Sequence, residues 1–268
     1  MNRSSIRELT RTLLSEPTSA YWSDTELNNY IDYGLTDFCQ QTDCLEDIST
    51  DSLVQYQADY ALPSDYTKIK RVELVKGNTM YALSPEDLAE TFTGIVKTTQ
   101  TPPEGYNIWE GNLRLRERPS AAAQSTTLGA TITSSATSLT VASASGIPRA
   151  GRIIIGSEVI SYWNLSGTTL SPCTRGAEGT TAAAHTSGDT LTLRDIWIYH
   201  FKKETLSSDS STPSMQFHEA PAYYAAALGR RKSKDHDLAD KYEQKYMSFV
   251  VKGIEWGKLK WKRPYKPK

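Results

Sequence analysis

Three cysteines, Cys39, Cys44 and Cys173, are too few to frame a chain of 268 residues with disulfides. Cys39-x4-Cys44 would need two further ligands to hold zinc, and none stands at a suitable spacing, so free thiols are expected. Long apolar runs are missing as well. None reaches the roughly 18 residues that span a bilayer, and Met1-Asn2-Arg3-Ser4-Ser5 leads into a helix start, not a signal-peptide core. The expectation is a soluble chain made in the cytosol. Nor is there a charge excess. With 30 basic and 31 acidic side chains, bulk electrostatics predict neither nucleic-acid nor membrane binding.

Catalytic signatures are also lacking in the sequence. Gly94-Ile95-Val96-Lys97-Thr98-Thr99 has the Lys-Thr of a phosphate loop without its preceding glycine. There is no Gly-x-Ser-x-Gly elbow and no His-Glu-x-x-His, and the four histidines are scattered. Asp235-His236-Asp237 falls at a predicted helix start, where acids favour the positive end of the dipole. No enzymatic activity, cofactor or metal is expected.

One absence organises the rest. Between Lys97 and Lys202 there is no lysine, and Ser120 to Arg194 is rich in Ser, Thr, Ala and Gly. Short β-branched runs such as Arg152-Ile153-Ile154-Ile155 recur there, separated by Gly146-Ile147-Pro148, Gly156-Ser157, Ser166-Gly167 and Ser187-Gly188-Asp189. That spacing predicts a small all-β domain, an Ig-like sandwich or a barrel, over 119–194. It is inserted between two strands of a host. Arg175, Glu178 and His185 fall in one predicted loop and are candidate contact residues. His185 has no acidic or cysteine partner close in sequence, so a loop hydrogen bond is expected there.

The host occupies 1–118 and 195–251 and reads as α+β. Ser5-x-x-Glu8 has the form of a capping box, with Ile6, Leu9, Leu13 and Leu14 on one helix face and Pro17 as the stop. Ser23-x-x-Glu26 opens a second helix through Phe38, with Trp22 placed to staple onto Leu27. From residue 53 the period becomes 2. Leu53–Tyr56, Tyr60–Leu62, Ile69–Val75 and Met80–Leu83 are predicted strands, with a hairpin at Gly77-Asn78. Ser84-Pro85-Glu86-Asp87 predicts a short helix to about Phe92, and a second hairpin turns at Glu110-Gly111. After the insert come a strand at Asp195–Phe201 and helices over Phe217–Lys232 and Asp235–Val251.

The last stretch, 252–268, sets seven Lys and Arg against Glu255 alone, interleaved with Trp256, Trp261 and Tyr265. Such a segment suits phosphate neutralisation and base stacking, or an arm that orders on a partner protein with aromatic and arginine anchors.

In order along the chain, these pieces resemble the head-to-tail adaptor (connector) proteins of tailed bacteriophages. The resemblance rests on Trp22-Ser23-Asp24-Thr25-Glu26-Leu27, Tyr60-Ala61-Leu62-Pro63-Ser64-Asp65-Tyr66, Leu83-Ser84-Pro85-Glu86-Asp87-Leu88, Ile196-Trp197-Ile198-Tyr199 and Glu219-Ala220 to Ala226. The insert is similar to a small β module of phage tail proteins, through Gly156-Ser157-Glu158-Val159-Ile160 and Thr174-Arg175-Gly176. The resemblance implies a structural virion protein at the head–tail junction, a helical-bundle adaptor domain with a β-meander. Its implied partners are the portal protein, the tail nozzle or tail-tube proteins and tail fibres. It also implies a dodecameric homo-oligomeric ring, with packaged DNA passing through without sequence specificity. By position, Trp256, Lys258, Lys260, Trp261, Lys262, Arg263 and Tyr265 would form the portal-docking arm. The competing reading is a tail or baseplate protein whose β insert binds host carbohydrate.

Overall fold

A computed structural model describes residues 1–16, 18–19, 21–86 and 103–261, and of 258–261 only the backbone. Among these residues the fold is mixed α+β, with four helices, several sheets and no barrel. It divides into two compact units, one of Met1–Asp47, Asp65–Lys68 and the stretch from Phe201 onward, the other of Ile48–Ser64 and Ile69–His200.

The first unit is helical. Helix α1 (Arg3–Leu14) is capped by Asn2, whose Oδ1 accepts from Ser5 N at 2.9 Å and Ser5 Oγ at 2.8 Å. The helix therefore starts about one turn before the capping box expected at Ser5, because Asn is as good a cap as Ser. It ends at Leu14, with Ser15 in the left-handed conformation; Pro17 lies outside the described residues. Helix α2 (Asp24–Thr42) is capped as expected, Ser23 Oγ accepting from Glu26 N at 3.2 Å. Trp22 and Leu27 share one buried cluster with Leu14 and Ala226, as the staple requires.

Helix α3 (Ala220–Lys232) carries Pro221 in its first turn, where a missing N–H costs nothing. Helix α4 (His236–Trp261) continues well past Val251, its expected end. The bundle core is apolar, built on Ile6, Ile31, Leu35, Phe38, Ala222, Ala225, Tyr246 and Val250. Two crossings are too close for any side chain. A Cβ on Gly34 would lie 3.0 Å from Tyr224, and one on Gly253 would lie 2.7 Å from Thr42 Cγ2 and 2.8 Å from Phe38 Cζ.

Among its described residues the second unit is all β. Strands β1 (Glu46–Asp51), β3 (Tyr66–Lys76), β4 (Thr79–Ala82) and β16 (Ile196–Lys202) form a sheet in the order β1-β16-β3-β4. Strands β2 (Asp59–Ala61), β5 (Ser84–Pro85), β6 (Gly105–Trp109) and β7 (Asn112–Leu115) form another in the order β2-β7-β6-β5. Val72, Leu74, Tyr106, Leu113, Leu115, Ile196 and Ile198 make their common core.

The hairpins at Gly77-Asn78 and Glu110-Gly111 form as expected. Leu53–Tyr56 does not form a strand. Its amides turn aside, Leu53 N to Asp195 Oδ1 at 2.7 Å and Tyr56 N to Pro119 O at 2.9 Å, and Tyr56 takes φ 65°. Ser84-Pro85 is likewise a short strand, parallel to β6, rather than a helix start. Ser84 N and Glu86 N are drawn to the carbonyls of Glu104 and Tyr106. The helix expected as far as Phe92 lies outside the described residues.

The stretch read as an insert gathers a hydrophobic cluster of its own. Strands β8 (Ser125–Thr127), β10 (Gly151–Ile155), β11 (Glu158–Tyr162), β14 (Cys173–Ala177) and β15 (Thr190–Leu193) make a sheet in the order β14-β11-β10-β15-β8. Strands β9 (Leu139–Thr140), β12 (Leu165–Ser166) and β13 (Thr169–Leu170) make a smaller one, β12-β13-β9. Leu139 and Leu170 from the small sheet pack with Ile153, Ile160, Leu191 and Leu193 from the large one, in a cluster drawn only from residues between Leu128 and Leu193. The two sheets share one interior.

Candidate functional site

The basic-aromatic C-terminal stretch begins inside the helical unit. Gly253 is buried against α2, and Trp256 packs half-buried on the bundle core. Trp256, expected as a docking anchor, is thus held by its own unit. Lys258, Lys260 and Trp261 continue on α4; Lys262, Arg263 and Tyr265 lie outside the described residues. The spacing Gly253-x-x-x-Gly257 puts both glycines toward Thr42 at the end of α2. In sequence it is hidden inside a charged run.

In the insert, the three candidate contact residues turn inward. Glu158 on β11 is 1% exposed and accepts five hydrogen bonds. Its Oε1 takes Arg175 Nε at 2.8 Å and Gly176 N at 3.0 Å. Its Oε2 takes Arg175 Nη2 at 2.7 Å and Ala183 N at 3.1 Å, and pairs with His185 Nε2 at 2.8 Å. Burial pushes this carboxyl up, but Arg175, the Ala183 amide, His185 and the Gly176 amide together outweigh it and hold it at about 2. Arg175 also donates to the carbonyls of Thr133 and Ala183, and Ile132 and His185 exchange backbone bonds at 2.9 and 3.0 Å. A carboxylate so fully used has no capacity left for a ligand. It ties the 175–185 loop to β11 and to the 132–133 segment.

His185 makes the loop hydrogen bond that was expected, but its partner stands 27 residues away in sequence. Glu158 itself is missed by sequence reading. The available signal is a single acid directly before Val159-Ile160, on a strand otherwise destined for the interior.

Glu178 makes a second latch, from the insert to strand β1. Its carboxylate accepts from Thr50 N at 3.0 Å and from Thr50 Oγ1, and pairs with Arg152 at 2.9 Å. Arg152 reaches Ile48 O at 3.0 Å and lies over the Trp197 ring. Arg194 donates to Thr50 O and pairs with Asp51 at 3.3 Å. Beside them Asp195, 5% exposed, is pushed up to about 7, mainly by burial and despite the Leu53 amide.

All three cysteines are buried free thiols. No described helix is long and apolar enough to cross a membrane, and no group of metal-ligating residues is found among the described residues.

A groove of about 670 Å³ opens at the seam between the insert and the β3–β4 hairpin. Trp163, Trp197, Met80, Pro148 and Ile48 supply its apolar wall, and Trp163 is 66% exposed.

No curated protein matches this chain. The SU10 adaptor protein family matches residues 1–153, more than half of the chain. The match takes in α1, α2, the meander and the insert as far as Ile153 on β10. With the capped helix pair and the meander in the order that the resemblance required, the chain belongs to the SU10 adaptor protein family, the structural adaptors of bacteriophages.

Proposed function

We propose that this protein forms the ring joining the portal to the tail in the neck of the virion, as a purely structural, non-enzymatic part. The family match over α1, α2 and the meander carries the reading. In it, copies of the chain assemble into a closed dodecameric ring through which packaged DNA passes without sequence specificity. The C-terminal segment from the end of α4 onward docks on the portal. Its lysines meet acidic portal surface or the genome, and Trp261, Arg263 and Tyr265 serve as anchors. The insert contacts the tail, the fibres or neighbouring adaptors.

The bundle geometry dictates how to test the docking segment. Cutting at 253 would remove Gly253 and Trp256 and damage the bundle. Cutting at 262 spares both. A chain lacking 262–268 is expected to melt like the full chain and to lose at least tenfold in affinity for isolated portal rings. Unchanged portal binding by the shortened chain rules out the docking role. Native mass spectrometry of the chain mixed with portal reads the subunit number.

A further inference from the structure

Among the described residues β4 is an edge strand, and its Met80 lines the groove. Leu83 N bonds to Val72 O at 2.9 Å, and these two residues stand directly opposite in the β3–β4 register. Hydrogen-bonded pairs alternate along an antiparallel ladder, so Tyr81 and Thr79 also face β3, whereas Met80 and Ala82 direct N–H and C=O away from it. Val75, opposite Met80, confirms the parity by donating its N–H to Asp195 O at 2.8 Å on the other side. Thr79-Met80-Tyr81-Ala82 holds no charge and no proline, the usual devices that blunt an edge, and Met80 and Tyr81 are 47% and 41% exposed.

The groove beside this edge is apolar with one sign of charge. Arg149 and Arg152 line it and, among the described residues, no carboxylate does. Arg152 is committed to Glu178, which leaves Arg149 as the available cation. Arg149 is exposed and anchored at its root, its N–H donating to Asn78 Oδ1 at 2.6 Å and its Nε to Asn164 Oδ1 at 3.1 Å.

We propose that this groove binds an extended, acidic segment of a partner protein. The segment adds a strand to β4 through Met80 and Ala82, places apolar side chains against Trp163, Trp197 and Met80, and sets a carboxylate on Arg149. Main-chain pairing supplies affinity and the alternating apolar and acidic side chains supply specificity. The chain's own C-terminal stretch is excluded as occupant by charge, since 262–268 is Lys-Arg-Pro-Tyr-Lys-Pro-Lys. The proposal deepens the partner-contact role given above to the insert, but its test does not depend on portal or ring.

The test is a selection from a randomised 12-residue peptide library on the full chain, followed by affinity measurement of the enriched peptides. Acidic peptides with alternating apolar residues are expected, binding at least tenfold more weakly to Trp163→Ala and to Arg149→Glu. Both side chains are exposed, so both variants should melt like the parent. Met80→Pro, which removes an outward N–H, should weaken binding comparably. Enrichment of basic peptides, of none, or of peptides indifferent to these substitutions overturns the proposal. So does glycan-array binding that Trp163→Ala abolishes, which would assign the groove to carbohydrate. Loss of portal binding on deleting 262–268 while the groove stays silent would refute this inference and leave the adaptor reading intact.

Discussion

The helical unit and the β insert solve the same problem with different materials. The helices bury Ile, Leu, Phe and Ala and bring backbones together at Gly34 and Gly253. Their lysines stay outside, as in Lys232–Glu26. The insert has shorter strands, fewer large side chains and no lysine. Its four basic residues from 120 to 194 are Arg149, Arg152, Arg175 and Arg194, and three of them close latches on Glu158, Glu178 and Thr50. A lysine would present one point charge where Arg175 grips both oxygens of Glu158 with a planar fork. The missing lysines thus mark a region whose cations are structural parts.

If the insert depends on its buried charge, Glu158→Ala should be the most damaging change. It leaves Arg175 and His185, 8% and 10% exposed at the side chain, without their counter-charge. A loss of about 3–5 kcal/mol is expected, read as early proteolysis within 120–194 while the helical circular-dichroism signal persists. Simultaneous loss of the helices would erase the distinction drawn between the units.

The helical counterpart is Gly253→Val. Its Cβ would overlap Thr42 and the rigid Phe38 ring, so about 1–3 kcal/mol should be lost from the helical melt. An unchanged melt would show that the crossing has slack.

Two acids give the β unit a pH signature of opposed limbs. Glu158 is depressed from 4.5 to about 2, so its contribution is complete above about 4.5 and disappears as pH falls toward 2. Asp195 is raised from 3.8 to about 7, so the unfolded chain ionises first and stability declines as pH rises between those values. The β unit should therefore be most stable near pH 4–5, by urea titration followed at the exposed Trp163. Asp195→Asn should recover on the order of 1–2 kcal/mol at pH 8 and nothing at pH 4. An equal gain at both would assign the effect to packing.

At the small end, Glu243→Ala breaks a pair with Arg231 in which both side chains are nearly half exposed, and should cost less than about 0.5 kcal/mol.

What sequence could show follows from the range of the interactions. Caps, staples and hairpin turns are local, and Ser23, Trp22, Gly77-Asn78 and Glu110-Gly111 behaved as their neighbours dictate. Strand β1 was not legible, because Glu46-Asp47-Ile48-Ser49-Thr50-Asp51 has no period-2 pattern, and a carboxylate 128 residues away, Glu178, bonds its Thr50 amide. Leu53–Tyr56 erred in the opposite direction, its apolar residues bent into a turn by Asp195 and Pro119. The end of α4 was hidden because charged residues mask the Gly253-x-x-x-Gly257 face. In the stretch read as an insert, β-branched runs such as Arg152–Ile155 could be read as strand from sequence. Glu158 could not, since its partners, from Arg175 to His185, lie 17 to 27 residues further along the chain.

The two-unit division has a mechanical corollary. The first unit takes in Met1–Asp47, a brief return at Asp65–Lys68 and the stretch from Phe201 onward, so α1 and α4 belong to the same body. Tension applied between α1 and α4 can be borne wholly within that body. A change confined to the second unit therefore leaves the path from α1 to α4 within one body.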